Sequence, residues 1–497
     1  MSTIDPAGVP PAAPEREDHG FKRVLGRLDA IGLGFGAMIG FGWVILTGDW
    51  LLEAGTVGAV LALVTGGLIM AVVGLVYGEL VAAMPYAGGE HNYLLRGMGA
   101  RWAFVGSWAI TGGYITIVAF EAVAVPRTVQ YIFPGLSQVP LWTVAGFEVN
   151  LTWALVGALT AVLITAINIR GVKHASTVQI FVILFLLIVG LMMLFGAFTR
   201  GSVATMEPFF TSGTTGFFLV LVTVPFLFVG FDVIPQVSEE MHLPARQLGG
   251  TIVVSVLLAA AWYVMVVLTT SSAMSAADVA GADIAVADAM GAMFGSTAVA
   301  NLLIAGGLAG ILTSWNSLLM GASRLLWALG NSRMVPAWFG RLHPRYGTPA
   351  NALLFVGAIS FAAPFFGAEM LGWLVDSGSP SIVVAYALVS VVFVLLRRRE
   401  PGMERPFRIG GRGPGGLVLG GLSVVLCLGL ISLYLPGMPA FLSAPAWTIF
   451  GLWWLLGLVF LLRIPTGIRP GADAEHRLVA EVERRRGRER RRTGDRA

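Results

Sequence analysis

Long apolar stretches of Leu, Val, Ile, Ala, Gly and Phe alternate with short polar joints between residues 29 and 463. A helix rises about 1.5 Å per residue, so about 20 apolar residues cross a hydrocarbon core of roughly 30 Å. The pattern predicts twelve such helices, at 29–52, 57–83, 100–126, 150–170, 174–198, 214–240, 248–272, 297–329, 350–367, 371–396, 414–436 and 446–463. The expected fold class is therefore an all-α polytopic membrane protein with 12 transmembrane helices. A cytoplasmic N-terminal tail is expected over 1–28, a transmembrane domain over 29–463 and a basic cytoplasmic C-terminal tail over 464–497.

Composition agrees. The chain is 56% hydrophobic and only 12% charged, against about 25% charged in a soluble domain. The first 28 residues are polar and carry Pro6, Pro10, Pro11 and Pro14, which reads as a disordered arm and not as a signal peptide. The one cysteine, Cys427, has no partner for an internal disulfide.

An even number of spans puts both tails on one side. Of the 32 Lys and Arg residues, only Arg127 and Arg200 fall in loops on the opposite side. The others sit in the tails or near-side loops, among them Arg96, Arg101, Arg170, Lys173, Arg246, Arg324, Arg333, Arg341, Arg345 and residues 397–399. The positive-inside rule then places both tails in the cytoplasm. The terminal run RRRGRERRRTGDRA reads as an anchor on anionic lipid headgroups, and no nucleic-acid partner is expected. The far side carries Glu148, Glu207, Asp278, Asp283 and Asp288, with its longest loops expected over 126–150 and 273–296.

Two spans are interrupted. Residues 34–43 read GFGAMIGFGW, with Gly36, Gly40 and Gly42 near mid-depth of the first span. Each glycine costs about 1 kcal/mol relative to alanine in a helix interior. Unwound backbone survives at membrane depth only where protein or a polar cavity covers it. Unwinding here would free the N–H groups of the helix half that begins near Trp43, a place for an anion. On these residues alone, close helix packing through Gly36 and Gly40, four apart, is an equal reading.

The sixth span reads LVLVTVPFLFVGFDVIPQVSEE over 219–240. Pro225 and Pro235 each remove a helix hydrogen bond, and Gly230 and Asp232 lie between them. A carboxylate inside an apolar span is a functional candidate by default; its other reading is a structural pair with a polar neighbour. Interrupted helices at positions one and six, one in each half of five plus five, point to an inverted-repeat transporter. Free N–H groups at the first break and carbonyls around 226–229 at the second suit a carboxylate and an ammonium, the two ends of an amino acid.

At these residues the chain resembles the amino acid–polyamine–organocation (APC) transporter superfamily. GFGAMIGFGWVI resembles that family's first-helix motif, Gly-x-x-Ile-Gly-x-Gly-Ile. PYAGGEHNYLLRGMG over 85–99 resembles its Pro-x-(Ser/Ala)-Gly-Gly stretch after helix two, and FVGFD followed by SEEMHLPAR its sixth-helix motif. ASRLLWALGNSRMVPAWFGRLHPRYGTP and RRREPGMERPFRI resemble the end of helix eight and the loop after helix ten. The resemblance implies a 5+5 inverted-repeat (LeuT-like) core over about 29–396, with helices 1 and 6 broken at mid-membrane, and two peripheral helices over about 414–463. It implies a secondary active transporter that moves an amino acid or related amine across the cytoplasmic membrane by alternating access. A polyamine carrier, an exchanger and a transporter-like nutrient sensor are the alternatives.

By the same resemblance the substrate carboxylate sits on the N–H groups of Gly40, Phe41 and Gly42, and the amine on carbonyls near 228–231. The expected substrate-binding set is Gly36, Met38, Ile39, Gly40, Phe41, Gly42 and Trp43 in the first span, with Phe228, Val229, Gly230, Phe231 and Asp232 in the sixth. Phe41 and Trp43 depart from the family's small residue and Ile, and would either shrink the pocket or stack on a substrate. His91 replaces a frequent aromatic and carries no reading.

The coupling ion stays open between H+ and Na+, with exchange or uniport as further options. Some proton-coupled relatives carry a lysine in the middle of helix five; STVQIFVILFLLIVG has none, and Lys173 reads as an inside anchor. Thr313 and Ser314 are adjacent hydroxyls in helix eight, where sodium-coupled members of the broader fold bind Na+, although such hydroxyls also bond back to their own helix. Protonatable candidates are Asp232 first, then Glu121, Asp376 and Glu79. Glu121 and Asp376 read as solvated positions near the outer ends of their helices, and Glu79 as an inner-end residue with a structural partner. Phe231 and Trp315 are gating candidates, although a lone tryptophan such as Trp315 more often serves packing.

No other cofactor and no firm metal site are expected. The six histidines, His19, His91, His174, His242, His343 and His476, show no metal-ligand spacing, and no Gly-x-Ser-x-Gly occurs, so an enzyme is not expected. A channel would want repeated filter loops. Substrate identity, direction and oligomeric state are not legible here.

Overall fold

The computed structural model describes residues 23–411 and 413–494, with side chains except over 172–178 and 485–494. The expectations for the N-terminal arm over 1–22, the Lys173 side chain and the side chains of the last basic run lie outside the described residues.

The described chain is largely helical. The first half comprises α1 (Arg27–Met38), α2 (Gly42–Ala83), α3 (Glu90–Met98), α4 (Ala100–Ile132), α5 (Leu151–Arg170) and α6 (Val172–Arg200). Next come α7 (Gly213–Leu227), α8 (Val233–Gln236), α9 (Ala245–Ala273), α10 (Ala276–Gly281), α11 (Ala285–Phe294) and α12 (Thr297–Asn331). The chain closes with α13 (Ala350–Ala362), α14 (Met370–Arg399), α15 (Gly415–Ser432), α16 (Ala444–Leu461) and α17 (Ala474–Gly494). Among the described residues nine helices are long and apolar enough to cross a membrane, and three more are apolar but shorter.

α2 has 42 residues, about 63 Å if straight, twice the thickness of a bilayer core. It is bent at Gly55, which has φ 73°. A Cβ there would lie 2.7 Å from the Pro208 carbonyl oxygen, so glycine is required on both counts. The bend divides α2 close to where the joint between the first two apolar runs is expected.

The helices sort by burial. The most apolar window of α4 is entirely buried, while those of α15 and α16 are 28% and 11% buried. α4 is thus the central post, and α15 and α16 are outer helices. α16 is clasped to α4 by two stacked indoles, Trp108 and Trp453, with centroids 4.1 Å apart. Each indole N–H donates to the other's backbone carbonyl at 3.0 Å, which satisfies both rings in an apolar setting.

Buried ion pairs tie the helices together. Glu79 of α2 meets Arg397 of α14 and, at 3.1 Å, Arg405, and takes the Ile409 N–H at 2.9 Å. Arg324 and Arg397, read from sequence as loop residues, lie inside α12 and α14; burying these cations requires the acids that face them. Arg324 pairs with Glu240 at 2.9 Å. Just beyond α8, Val24 and Leu25 donate backbone N–H groups to the Glu240 carbonyl, and His242 N–H returns to Leu25 O at 2.8 Å. This short bridge joins the entry to α1 with the exit from α8.

Two expected far-side loops are structured instead. α4 continues to Ile132, and residues 140–150 form an antiparallel hairpin of β1 (Pro140–Val144) and β2 (Phe147–Asn150). Trp142 of β1 donates to the Phe365 carbonyl at 2.9 Å. Residues 273–296 hold α10 and α11. α10 starts with a reciprocal cap between Ser275 and Asp278, a Ser-x-x-acid signature visible in sequence.

Candidate functional site

The first span unwinds between Met38 and Gly42. Ile39 still donates to Phe35 O at 3.0 Å, and the ladder resumes with Val44 N–H on Phe41 O at 2.9 Å. The sixth unwinds over 228–232, between α7 and α8. The two breaks touch. A Cβ on Gly230, whose φ is 144°, would lie 2.6 Å from the Ala37 Cβ and 2.9 Å from the Met38 nitrogen. Only glycine allows this junction.

Freed carbonyls at the breaks are covered. The Tyr263 hydroxyl, from α9, lies 2.5 Å from Met38 O and 3.2 Å from Leu227 O, so one O–H serves the last turns of α1 and α7 together. Trp43 donates its indole N–H to Ile39 O at 3.2 Å across the first break and packs edge-on against Trp262. The Phe41 ring lies on Gly307 of α12. Gly310 lets the Ile39 and Gly40 carbonyls approach α12: a Cβ there would sit 3.1 and 2.9 Å from those oxygens.

Glu121 is not in a solvated outer vestibule. It is buried, 2% exposed, and its carboxylate accepts the Ser314 hydroxyl. The Phe41 N–H is directed at the same carboxylate, and a Cβ on Gly40 would lie 2.6 Å from its Oε1. The reason is helix length. α4 runs to Ile132, so Glu121 lies about 16 Å from its end, deeper than a span ending at 126 implies. The chain's own carboxylate thus stands beside Gly40 and the Phe41 N–H at the first break. Asp376, by contrast, is exposed.

Asp232 is buried at the second break, where it accepts the Gly230 N–H at 2.8 Å and the Tyr386 hydroxyl at 3.3 Å. Phe231 lies edge-on to Tyr77, centroids 5.3 Å apart, and against Tyr386. Phe228 leans on Tyr263. Between the breaks is a cavity of about 20 Å³ lined by Gly40, Phe41, Gly42, Glu121, Val229 and Ser314, among others. That is room for about one water, so an amino acid needs the site to open. Met38 also lines it, whereas Gly36, Trp43, Phe228, Phe231, Asp232 and Trp315 do not.

Thr313 donates to its own helix at Gly310 O, 2.9 Å, and reaches Gly36 O at 3.2 Å. Beside it, Gln179 of α6 places its amide nitrogen 2.9 Å from Gly32 O and 3.0 Å from the Ser317 hydroxyl. A neutral N–H donor therefore bridges α1, α6 and α12. Among the described residues no group of three His, Cys, Asp or Glu gathers to hold a metal. Tyr263 and Gln179 escape sequence reading; the only signal each offers is a polar group inside an apolar run.

A family model described as amino acid permease matches residues 25–466. The chain belongs to the amino acid permease family. It is thus a permease of the APC superfamily that its motifs resemble. It is 29% identical over 420 residues to the branched-chain amino acid permease BcaP of Bacillus subtilis, covering 83% of this chain and 88% of that one. It is 26% identical to the methylthioribose transporter of the same organism, covering 88% and 93%. It is also 26% identical to the aspartate-proton symporter of B. subtilis, covering 82% and 78%. The names of these relatives point to different cargo.

Proposed function

We propose that this permease is a proton-coupled secondary transporter of an amino acid, working by alternating access around the two breaks. Counting α1 with 42–54 as one crossing, 56–83 as the next, α7 with α8 as the sixth, and α13 with the turn after it as the ninth gives twelve spans in a 5+5 inverted-repeat core plus α15 and α16. Both termini then lie in the cytoplasm, and the setting is the cytoplasmic membrane. The relatives named for amino acids support the substrate class.

One observation carries the reading: the Glu121 carboxylate stands beside Gly40 and the Phe41 N–H, where a substrate carboxylate is expected. Two anions do not share that place in a buried site. Substrate entry therefore requires Glu121 to take a proton or swing away, and the first of these links substrate binding to protonation. Sodium is less favoured. The Gln179 amide nitrogen, which donates to Gly32 O and Ser317 beside Thr313, puts an N–H and not an oxygen ligand next to these hydroxyls.

The test is uptake of leucine, arginine and aspartate by the purified full chain in proteoliposomes under an imposed proton gradient, sodium-free. At least one amino acid should accumulate, and a protonophore should stop it. Glu121→Gln should abolish gradient-driven accumulation while exchange of the same amino acid persists. Accumulation that needs a sodium gradient and ignores the proton gradient would overturn the coupling.

A further inference from the structure

Asp232 shares its burial with a second carboxylate. Glu90 opens α3, in the connection between the second and third spans, and is wholly buried. Gly88 and Gly89, with φ 91° and 36°, turn the chain there, and a Cβ on Gly89 would lie 2.8 Å from Pro235 and 3.0 Å from the Gln236 amide nitrogen. The start of α3 is thus pressed against α8. Gln236 donates to one Glu90 oxygen, and the other has no hydrogen-bond partner. The Glu90 carboxyl faces Asp232.

Tyrosine hydroxyls surround the two acids. Tyr386 of α14 donates to Asp232. Tyr77 of α2 lies beside Glu90 and Tyr114 of α4 beside Asp232. Both are fully buried, and neither hydroxyl makes a well-formed hydrogen bond. Tyr93 of α3 is the remaining titratable group that faces Glu90. The next residue, His91, is turned to Ser107 and Ser332, with Glu475 of α17 beyond. Among the described residues neither Glu90 nor Asp232 has an ion-pair partner. Burial, and next the facing Asp232 carboxylate, push Glu90 well above the ordinary carboxylate range.

We propose that Glu90 and Asp232 form a second protonation site, on the α3 side of the sixth-span break, that holds one shared proton. Two buried carboxylates side by side need positive charge. Gln236, which holds Glu90, follows Asp232 by one helical turn, and a proton, unlike an ammonium group or a metal ion, needs no cavity. Transfer between the two acids breaks an O–H bond on Asp232 as one forms on the free oxygen of Glu90, and nothing else changes. The use of this proton in transport rests on the reading above; the protonated pair itself does not.

The deciding experiment is infrared spectroscopy of the purified full chain in lipid at neutral pH, without substrate. Wild type should show a protonated-carboxyl band that Glu90→Gln removes and Asp232→Asn shifts in frequency. Should Glu90→Gln fail to fold, Gln236→Leu keeps both acids and should shift the same band. A band that none of the variants alters, or no such band in wild type, overturns the proposal. Proteoliposome flux then addresses use: proton-driven uptake lost in Glu90→Gln with exchange intact ties the pair to transport. Absence of wild-type uptake for every amino acid defeats the transport reading and leaves the infrared result to decide the pair.

Discussion

The two broken helices solve one problem in different ways. At the second break the chain supplies its own charge: Asp232 lies within the unwound residues and accepts the N–H of Gly230, two positions back. The first break borrows its charge. Glu121 comes from α4 and the Ser314 hydroxyl from α12, 193 positions away in sequence. Carbonyl cover is shared, since Tyr263 of α9 reaches both. A self-supplied carboxylate stays with its break however the helices move. A borrowed one leaves whenever α4 and the first span separate, as the proposed exchange of Glu121 for a substrate carboxylate requires.

The junction between the breaks offers the largest effect. Gly230→Val should cost about 3 kcal/mol or more, from overpacking on Ala37 and from a positive φ that valine rarely adopts. Thermal unfolding in detergent should show a large drop, and Ala37→Gly should restore part of it. A variant that melts with wild type would mean that the breaks do not meet as described.

Tyr263→Phe sharpens the comparison by uncovering both breaks at once while keeping the ring against Phe228 and Trp50. Leaving Met38 O and Leu227 O without their donor should cost about 1–3 kcal/mol. Unchanged melting would show that water or another donor already serves them.

The smallest expected effect lies away from the breaks, at the docking of α17. Ser332 donates to Glu475 at 2.8 Å, so it must accept from His91 Nε2–H at 2.8 Å, and Nδ1 then accepts from Ser107. That arrangement needs a neutral ring, and burial holds His91 below its ordinary 6.5, opposed in part by Glu475. The docked state therefore binds fewer protons than the undocked one. Its stability is full above 6.5 and is lost as pH falls below it. Hydrogen-exchange protection of residues 474–484, taken relative to the intrinsic rate at each pH, should fall on acidification in wild type, and His91→Gln should flatten that pH dependence.

Much of this was legible in one dimension. Apolar length alone marks the spans, because a bilayer core sets how many residues a crossing needs. Gly40, Gly42, Pro225, Gly230 and Pro235 mark the breaks through local backbone chemistry, and Asp232 stands out because a carboxylate in an apolar run is costly. The five ordered motifs carried the family. Glu121 was visible as a residue and misplaced in depth, since helix ends are weakly encoded and α4 outruns its apolar stretch by six residues, from 126 to 132.

What the chain determined by itself is thus local: where helices run, where they fail, and which side carries positive charge. The tertiary structure decided which groups meet at the failures. Glu121 at Gly40, Tyr263 across Met38 and Leu227, Gln179 between α1 and α12, and Glu90 beside Asp232 all join residues far apart in sequence. Such pairings depend on how helices rotate and slide against one another, and hydropathy carries no record of either.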